Sequence, residues 1–312
     1  MKRIRTELCV VVFVTIVLTS LSAVRPGLAD ITYNDGGTYN INTSMPAGAI
    51  YLNGGTTLNV LSGGNITGGN GGFNYGVNAS NSSPVNVYGG TINGGNGGFN
   101  YGVNASNSSP VNVYGGTING TITGDNESFG YGIYAYGSSP VNVYGGTITG
   151  AITGGIEDLG YGISADYSSV VNIYGGTIRG GNAGASCGID AAYSSIVNIY
   201  GGTISGANGI TSDYGSQVNV HGGNIGGLIE ALYGSTVDIY GSGFNYKFGQ
   251  ISATSGNITG TLSDGTPINV AFDNFGEGNI ILSPTPTPIP TAAYLFGSGL
   301  LGLLGIRKKM QQ

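Results

Sequence analysis

Tryptophan is absent from the 312 residues, histidine occurs once, cysteine twice, and charged residues make up only 8% of the chain. Each shortage removes a class of function. The single histidine, His221, cannot form a histidine cluster for a metal, and no Ser-His-Asp set stands beside it. Cys9 falls in an N-terminal apolar run, which leaves Cys187 alone in the remainder and excludes an intramolecular disulfide there. Basic residues gather at the ends, with Lys2, Arg3, Arg5 and Arg25 at one and Arg307, Lys308 and Lys309 at the other; only Arg179 and Lys247 lie between. A middle this short of cations repels phosphate backbones, so nucleic acid is excluded as a partner.

What the chain has instead is glycine, tyrosine and a period. With 62 Gly and 21 Tyr it would read as disordered if it were aperiodic. The phrase Val85-Asn86-Val87-Tyr88-Gly89-Gly90-Thr91-Ile92 begins again at Val111, Val141, Val171 and Val197, in looser form at Val218 and Val237, and is preceded by a worn copy from Leu58 to Gly64. Successive starts are 26, 30, 30, 26, 21 and 19 residues apart, and residues 68–94 recur unchanged as 94–120. Repeats of about 20 to 30 residues made of strand phrases and glycine turns build β-solenoids, in which each coil buries its apolar face only against its neighbours.

Two strands are expected in each coil, such as Gly132–Ala135 and Val141–Tyr144, followed by a Gly145-Gly146 corner and Thr147-Ile148. Alternation points Val141, Val143 and Ile148 inward and Asn142 and Tyr144 outward. Like residues then stack at about 4.8 Å. Length varies between the Thr-Ile-x-Gly end of one repeat and the Tyr-Gly-Val/Ile start of the next, so a specific contact is expected on that side. Residues 256–282 keep strand alternation without the motif and read as a last coil plus cap; Ile31 to Ile50 should close the other end. The whole resembles the right-handed parallel β-helix of pectate-lyase-like and autotransporter passenger domains.

The ends carry addresses. Lys2, Arg3 and Arg5 precede an apolar run from Leu8 to Leu21 and a small-residue site, the pattern of a signal helix cleaved between Ala29 and Asp30. Residues 30–282 form the solenoid, 283–290 a Pro/Thr linker with proline at every second position, and 291–312 a C-terminal segment. Its sixteen uncharged residues, 291–306, would span about 24 Å as a helix, a little short of a hydrocarbon core of about 30 Å, so crossing needs local thinning or snorkelling lysines. The order Pro288-Ile289-Pro290, then Tyr294-Leu295-Phe296-Gly297-Ser298-Gly299-Leu300-Leu301-Gly302, then Arg307-Lys308-Lys309 resembles the sorting signal of PEP-CTERM proteins, with Ile289 where the namesake motif has Glu. This resemblance implies a Gram-negative bacterium that makes exopolysaccharide, an exosortase-type membrane protease as partner, an inner-membrane intermediate anchored by a transmembrane helix, and release to the cell surface or extracellular matrix.

Candidates for chemistry are few. Tyr88, Tyr114, Tyr144, Tyr174 and Tyr200 form an outward column that either covers backbone or offers stacking faces to an extracellular polysaccharide. Asp125 and Glu127 in one loop and Glu157 and Asp158 in the next would stack as a weak acidic site able to hold Ca²⁺ through oxygen ligands, or stand as solvated loop charge. Asp166 and Asp213 share a column two coils, about 9.6 Å, apart with Ala192 between them, and are read as structural. Cys187 aligns with Tyr131 and Tyr161 as a substitution within a column. The expected function is that of an exported structural or adhesin-like β-helix, not an enzyme and without a cofactor; the alternative is a polysaccharide-binding or polysaccharide-degrading β-helix, a lyase or a hydrolase.

Overall fold

In the computed structural model of the protein, residues 30–69, 71–123, 128–150, 152–153, 159–182 and 184–286 are described, and every regular element among them is a β-strand. The strands stack into three parallel ladders. The first contains Ile31–Tyr33, Ile50–Leu52, Phe73–Ala79, Phe99–Ala105, Phe129–Tyr136, Leu159–Asp166, Cys187–Ala191, Asn208–Ser212, Leu228–Leu232 and Pro267–Phe275. The second holds the Val-Asn-Val strands and their relatives, from Thr38–Ile41 to Asn279–Pro284. The third holds the Thr-Ile strands, from Asn65–Thr67 to Asn224–Ile225. Each regular coil therefore has three strands, one more than the two read from sequence, because Thr-Ile-x pairs as a ladder of its own. The chain is a parallel β-solenoid, as the period predicts. The signal helix, the C-terminal transmembrane helix and the cleavage-site residue Ala29 fall outside the described residues.

Register follows the repeat. Val111 pairs with Val85 and Val141, Ile118 with Ile92 and Ile148. Val141, Val143, Ile133 and Ile148 are completely buried, together with their counterparts in the neighbouring coils, and make one continuous interior of stacked branched side chains. Outside the second ladder the asparagines bond in series: Asn59 Nδ2 donates to Asn40, Asn86 to Asn59, Asn112 to Asn86, Asn142 to Asn112, Asn172 to Asn142, Asn198 to Asn172 and Asn219 to Asn198, all at 2.8–2.9 Å. Stacking like amides at the coil pitch lets each donate one way and accept the other, so the column satisfies itself.

Two glycine columns close the coil. Gly146 has φ +82°, and its counterparts Gly116, Gly176 and Gly202 lie between +81° and +90°, a left-handed corner that glycine enters without penalty. Gly132, in the Tyr-Gly-Ile phrase, is needed for space. A Cβ there would sit 2.5 Å from Ile148 Cγ2 and 2.5 Å from the Gly162 carbonyl oxygen. The inward isoleucine of the third ladder packs onto this glycine, and the pairing of the first-ladder strands passes over it, so Phe129–Tyr136 bends there. A third column, invisible as chemistry in the sequence, is a buried serine spine. The backbone N–H of Ser83, Ser109, Ser139, Ser169 and Ser195 each donates to the hydroxyl of the next coil's serine, ending at Ser216, over 3.1–3.2 Å. These hydroxyls satisfy corner N–H groups that no ladder reaches.

At the C-terminal end antiparallel pairing joins the parallel pattern. Ser255–Leu262 and Pro267–Phe275 form an antiparallel hairpin, Pro267–Phe275 pairs in parallel with Leu228–Leu232, and Asn279–Pro284 pairs with Thr236–Ser242. Antiparallel strands over the last coil cover an edge that would otherwise invite another chain.

Candidate binding groove

Before the bend at Gly132, the first ladder carries large rings on its outer side. Tyr75, Tyr101, Tyr131 and Tyr161 stack with centroids 4.9–5.1 Å apart and form a second, outer core with Leu159 and Cys187. This is why Leu159–Asp166 is buried at every position, on both of its faces. The column then shrinks. Cys187 follows Tyr161 in register and Asn208 follows Cys187. Beyond the bend the parallel change runs from Tyr134 to Ser164, Asp190, Thr211 and Glu230, and from Tyr136 to Asp166. Where rings give way to small and acidic side chains, the outer surface opens into a cavity of about 110 Å³. At roughly 10–15 Å³ per water on this measure, that is room for about eight waters, or one sugar unit.

Four carboxyls line it: Asp166, Asp190, Asp213 and Glu230. Asp190 pairs with Ser164 of one neighbouring coil and Thr211 of the other, so Asp166 and Asp213, each two residues further on, flank it diagonally. Polar contacts are partial. Tyr134 Oη donates to Asp166 Oδ2 at 3.0 Å, Ser164 Oγ to Asp190 Oδ2 at 3.4 Å, and the Tyr214 backbone N–H to Asp213 Oδ1 at 2.7 Å. Glu230 Oε2 accepts from Thr211 Oγ1 at 3.2 Å and from Asn208 Nδ2. Two buried atoms of the lining find no partner among the described residues, Asp166 Oδ1 and the Tyr131 hydroxyl, on residues only 6% and 1% exposed. Such orphans cost about 1–3 kcal/mol each and ask for an external partner.

Electrostatics follows from this enclosure. Burial pushes the Asp166 carboxyl up to about 6, against the Tyr134 hydrogen bond and with help from the charge of Asp213. Burial also brings Asp213 to about 6, opposed by the Tyr214 N–H. Asp190 is held well above the usual carboxylate range, first by burial and then by Asp166 and Asp213; Glu230 is raised too, chiefly by burial. Among the described residues no lysine, arginine or histidine lines the cavity to offset these charges.

The rim is aromatic. Tyr167, Tyr193, Tyr214 and Tyr233 form a ladder with centroids 4.6–5.3 Å apart, and Tyr193 and Tyr214 line the cavity. All four have φ between +40° and +52°. The same corner is filled by Asn81, Asn107 and Gly137 in earlier coils, residues that enter the left-handed region cheaply. A bulky residue there is an outlier costing about 1–3 kcal/mol, and such strain gathers at binding sites. The chain accepts it in four successive coils, among them those that carry the acids.

The sequence candidates lie elsewhere. Tyr88, Tyr114, Tyr144, Tyr174 and Tyr200 are 44–52% exposed and stack with near-parallel planes 4.9–5.3 Å apart. Ring faces are largely turned to one another, and the stripe presents edges and hydroxyls outward. His221 continues it, between Tyr200 and Tyr240, with its imidazole pushed down by burial. Asp30 accepts the Ala49 N–H at 2.9 Å and ties down the first coil. Asp125, Glu127, Glu157 and Asp158 lie outside the described residues, as do Pro288, Pro290, Gly297, Gly299, Arg307, Lys308 and Lys309. Among the described residues no three of His, Cys, Asp and Glu converge closely enough to share a metal ion, so the groove acids are spread along a surface. Asp190, Glu230, Tyr131 and the rim tyrosines are absent from the sequence candidates. The available signal was the column in which Tyr131 and Tyr161 give way to Cys187. Set against protein-family models, curated proteins and solved structures, the chain matches none.

Proposed function

We propose that this chain is an exported, right-handed β-helix protein of a Gram-negative cell surface or extracellular matrix, structural and adhesive over most of its length, that holds polysaccharide in the groove beside Tyr193 and Tyr214. The leader ending at Ala29 and the sorting-like tail, read by an exosortase-type protease, support export through an inner-membrane intermediate. The observation that carries the binding reading is the run of four tyrosines in left-handed corners along a concave surface with buried, unpartnered polar atoms. A stack of equal coils repeats its chemistry along one axis, which suits an extended, repeating polymer. The test is retention of the protein in native gels containing extracellular polysaccharides. Tyr193→Asn with Tyr214→Asn keeps residues that tolerate the corner and should lower retention at least tenfold; equal retention of this variant, or none by the wild type, rejects the groove.

One observation favours hydrolysis as a second reading. Asp166 and Asp213, both raised to about 6, stand two coils or roughly 9.6 Å apart by backbone position, just beyond the roughly 6.5–9.5 Å between the carboxyls of inverting glycosidases. One would protonate the leaving oxygen as the glycosidic C–O bond breaks, and the other would take a proton from the water that adds to the sugar carbon. Release of new reducing ends, abolished by Asp166→Asn, would establish it.

A further inference from the structure

The groove gathers Asp166, Asp190, Asp213 and Glu230 without one basic side chain among the described residues of its lining. Carboxyls so placed repel one another, and burial raises the cost of charging each. A binding site for a neutral sugar needs hydroxyls and amides, which Asn208, Thr211 and Ser164 supply; it does not need four acids. A site for an anionic sugar would need cations, and the two central ones, Arg179 and Lys247, do not line it. The remaining partner is a cation of sugar size. Two unpartnered atoms, Asp166 Oδ1 and the Tyr131 hydroxyl, belong to deeply buried residues of this lining, and the hydroxyl is independent of the repulsion argument. One can accept from an ammonium N–H, and the other can bond a ring hydroxyl.

We infer that the groove selects an amine-bearing polysaccharide, with the protonated amine of one hexosamine unit between the neighbouring carboxyls Asp166 and Asp190 and its hydroxyls on Tyr131, Thr211 and Asn208. This rests on the polysaccharide-binding reading and narrows it. The polymer runs along the coil axis past the edges of Tyr193 and Tyr214. Removing the amine's charge, by acetylation, leaves the carboxyls unmatched and adds bulk in a half-open space of about 110 Å³.

Calorimetric titration of the whole protein near neutral pH separates the possibilities. A glucosamine oligomer, its fully N-acetylated counterpart, a neutral glucose oligomer and spermidine are compared. Binding of the glucosamine oligomer at least tenfold tighter than the acetylated and neutral ones, and weakened at least tenfold in Asp190→Asn, is the expected result. Asp190→Asn keeps the shape of the side chain, and its far-UV spectrum verifies folding; Tyr131→Phe, which removes one hydroxyl, gives a second reading and should weaken the same oligomer severalfold. Equal binding of acetylated or neutral oligomers overturns the charge selection and leaves polysaccharide binding standing. Tighter binding of spermidine, equally dependent on Asp190, overturns the sugar. If no oligomer binds and no extracellular polysaccharide retains the protein, the selection falls together with the reading beneath it.

Discussion

Two stretches of the first ladder, Phe73–Ala105 and Leu159–Leu232, share a backbone and part in chemistry. In the earlier coils the outward position after the bend holds Asn78 and Asn104, and one amide donates to the other at 2.9 Å. In the later coils the same column holds Ser164, Asp190, Thr211 and Glu230, which cannot bond in series because carboxylates only accept. The corner beside it holds Asn81 and Asn107 in the first case and Tyr167, Tyr193 and Tyr214 in the second. One stretch bonds its outward amides in series and is scaffold. The other leaves burial costs and strain unrelieved over several consecutive coils, which marks it as the place where something else binds.

Substitutions can break that contrast or sharpen it. The largest effect belongs to what both stretches share. Gly162→Val, like Gly102→Val, drives a side chain into an isoleucine Cγ2 2.5 Å from its Cβ and a carbonyl oxygen 2.6 Å away, and should cost well over about 4 kcal/mol. Little soluble protein and loss of the strand spectrum are expected from either variant. If only one of them collapses, the coils are not equivalent scaffolds.

Ser169→Val comes next. Its hydroxyl accepts the Ser139 N–H at 3.1 Å and donates to the Asp166 carbonyl at 2.8 Å. Stranding both buried groups should cost about 2–4 kcal/mol, read as a lowered denaturation midpoint. Ser109→Val in the earlier stretch should cost less, because only its acceptor role, toward Ser83 N–H at 3.1 Å, is then lost.

The acids should act in the opposite direction. Asp166 titrates near 6 in the folded chain against an ordinary 3.8, so folding favours its protonated form. The stability this contributes is complete below about pH 4 and is lost as pH rises through about 6. Wild-type protein should therefore be less stable at pH 8 than at pH 5. Asp166→Asn should raise stability at pH 8 by on the order of 2 kcal/mol, an advantage that vanishes by pH 4 in melting curves. A smaller pH effect, of about 1 kcal/mol, is expected from Asn104→Asp, half-buried in the amide part of the column.

Smallest is Tyr193→Asn. It relieves a left-handed tyrosine at φ +52° but removes stacking on Tyr167 and Tyr214, terms of about 1 kcal/mol each and opposite sign. Stability should stay within about 1 kcal/mol of wild type while polysaccharide retention falls. A large destabilisation instead would make the rim ladder structural and remove the contrast between the two stretches.

Along the coil axis, much could be read in advance. Val141, Val143 and Ile148 face inward and the asparagine column bonds in series, because a strict repeat with period-two alternation leaves no other stacking. Across the axis, little could be read. The Asp166 and Asp213 column was visible, but Asp190 belongs to a neighbouring column, and only the bend at Gly132 turns Tyr131 and Tyr161 toward that side. The Tyr88-to-Tyr200 stripe reads in one dimension either as cover for backbone or as open stacking faces; in three, each ring lies on the next.

The sequence by itself determined a β-solenoid, its register, its apolar interior and its self-satisfying outer amides, since these depend only on what lies one coil away. The groove was decided by tertiary structure. It exists because the outer tyrosine core ends at Cys187, because the strand bends at a glycine, and because corner tyrosines stand beside carboxyls from other columns. These neighbours come from successive coils separated by unequal numbers of residues, and their burial, which raises the carboxyls and orphans the Tyr131 hydroxyl, arises only once the coils are closed.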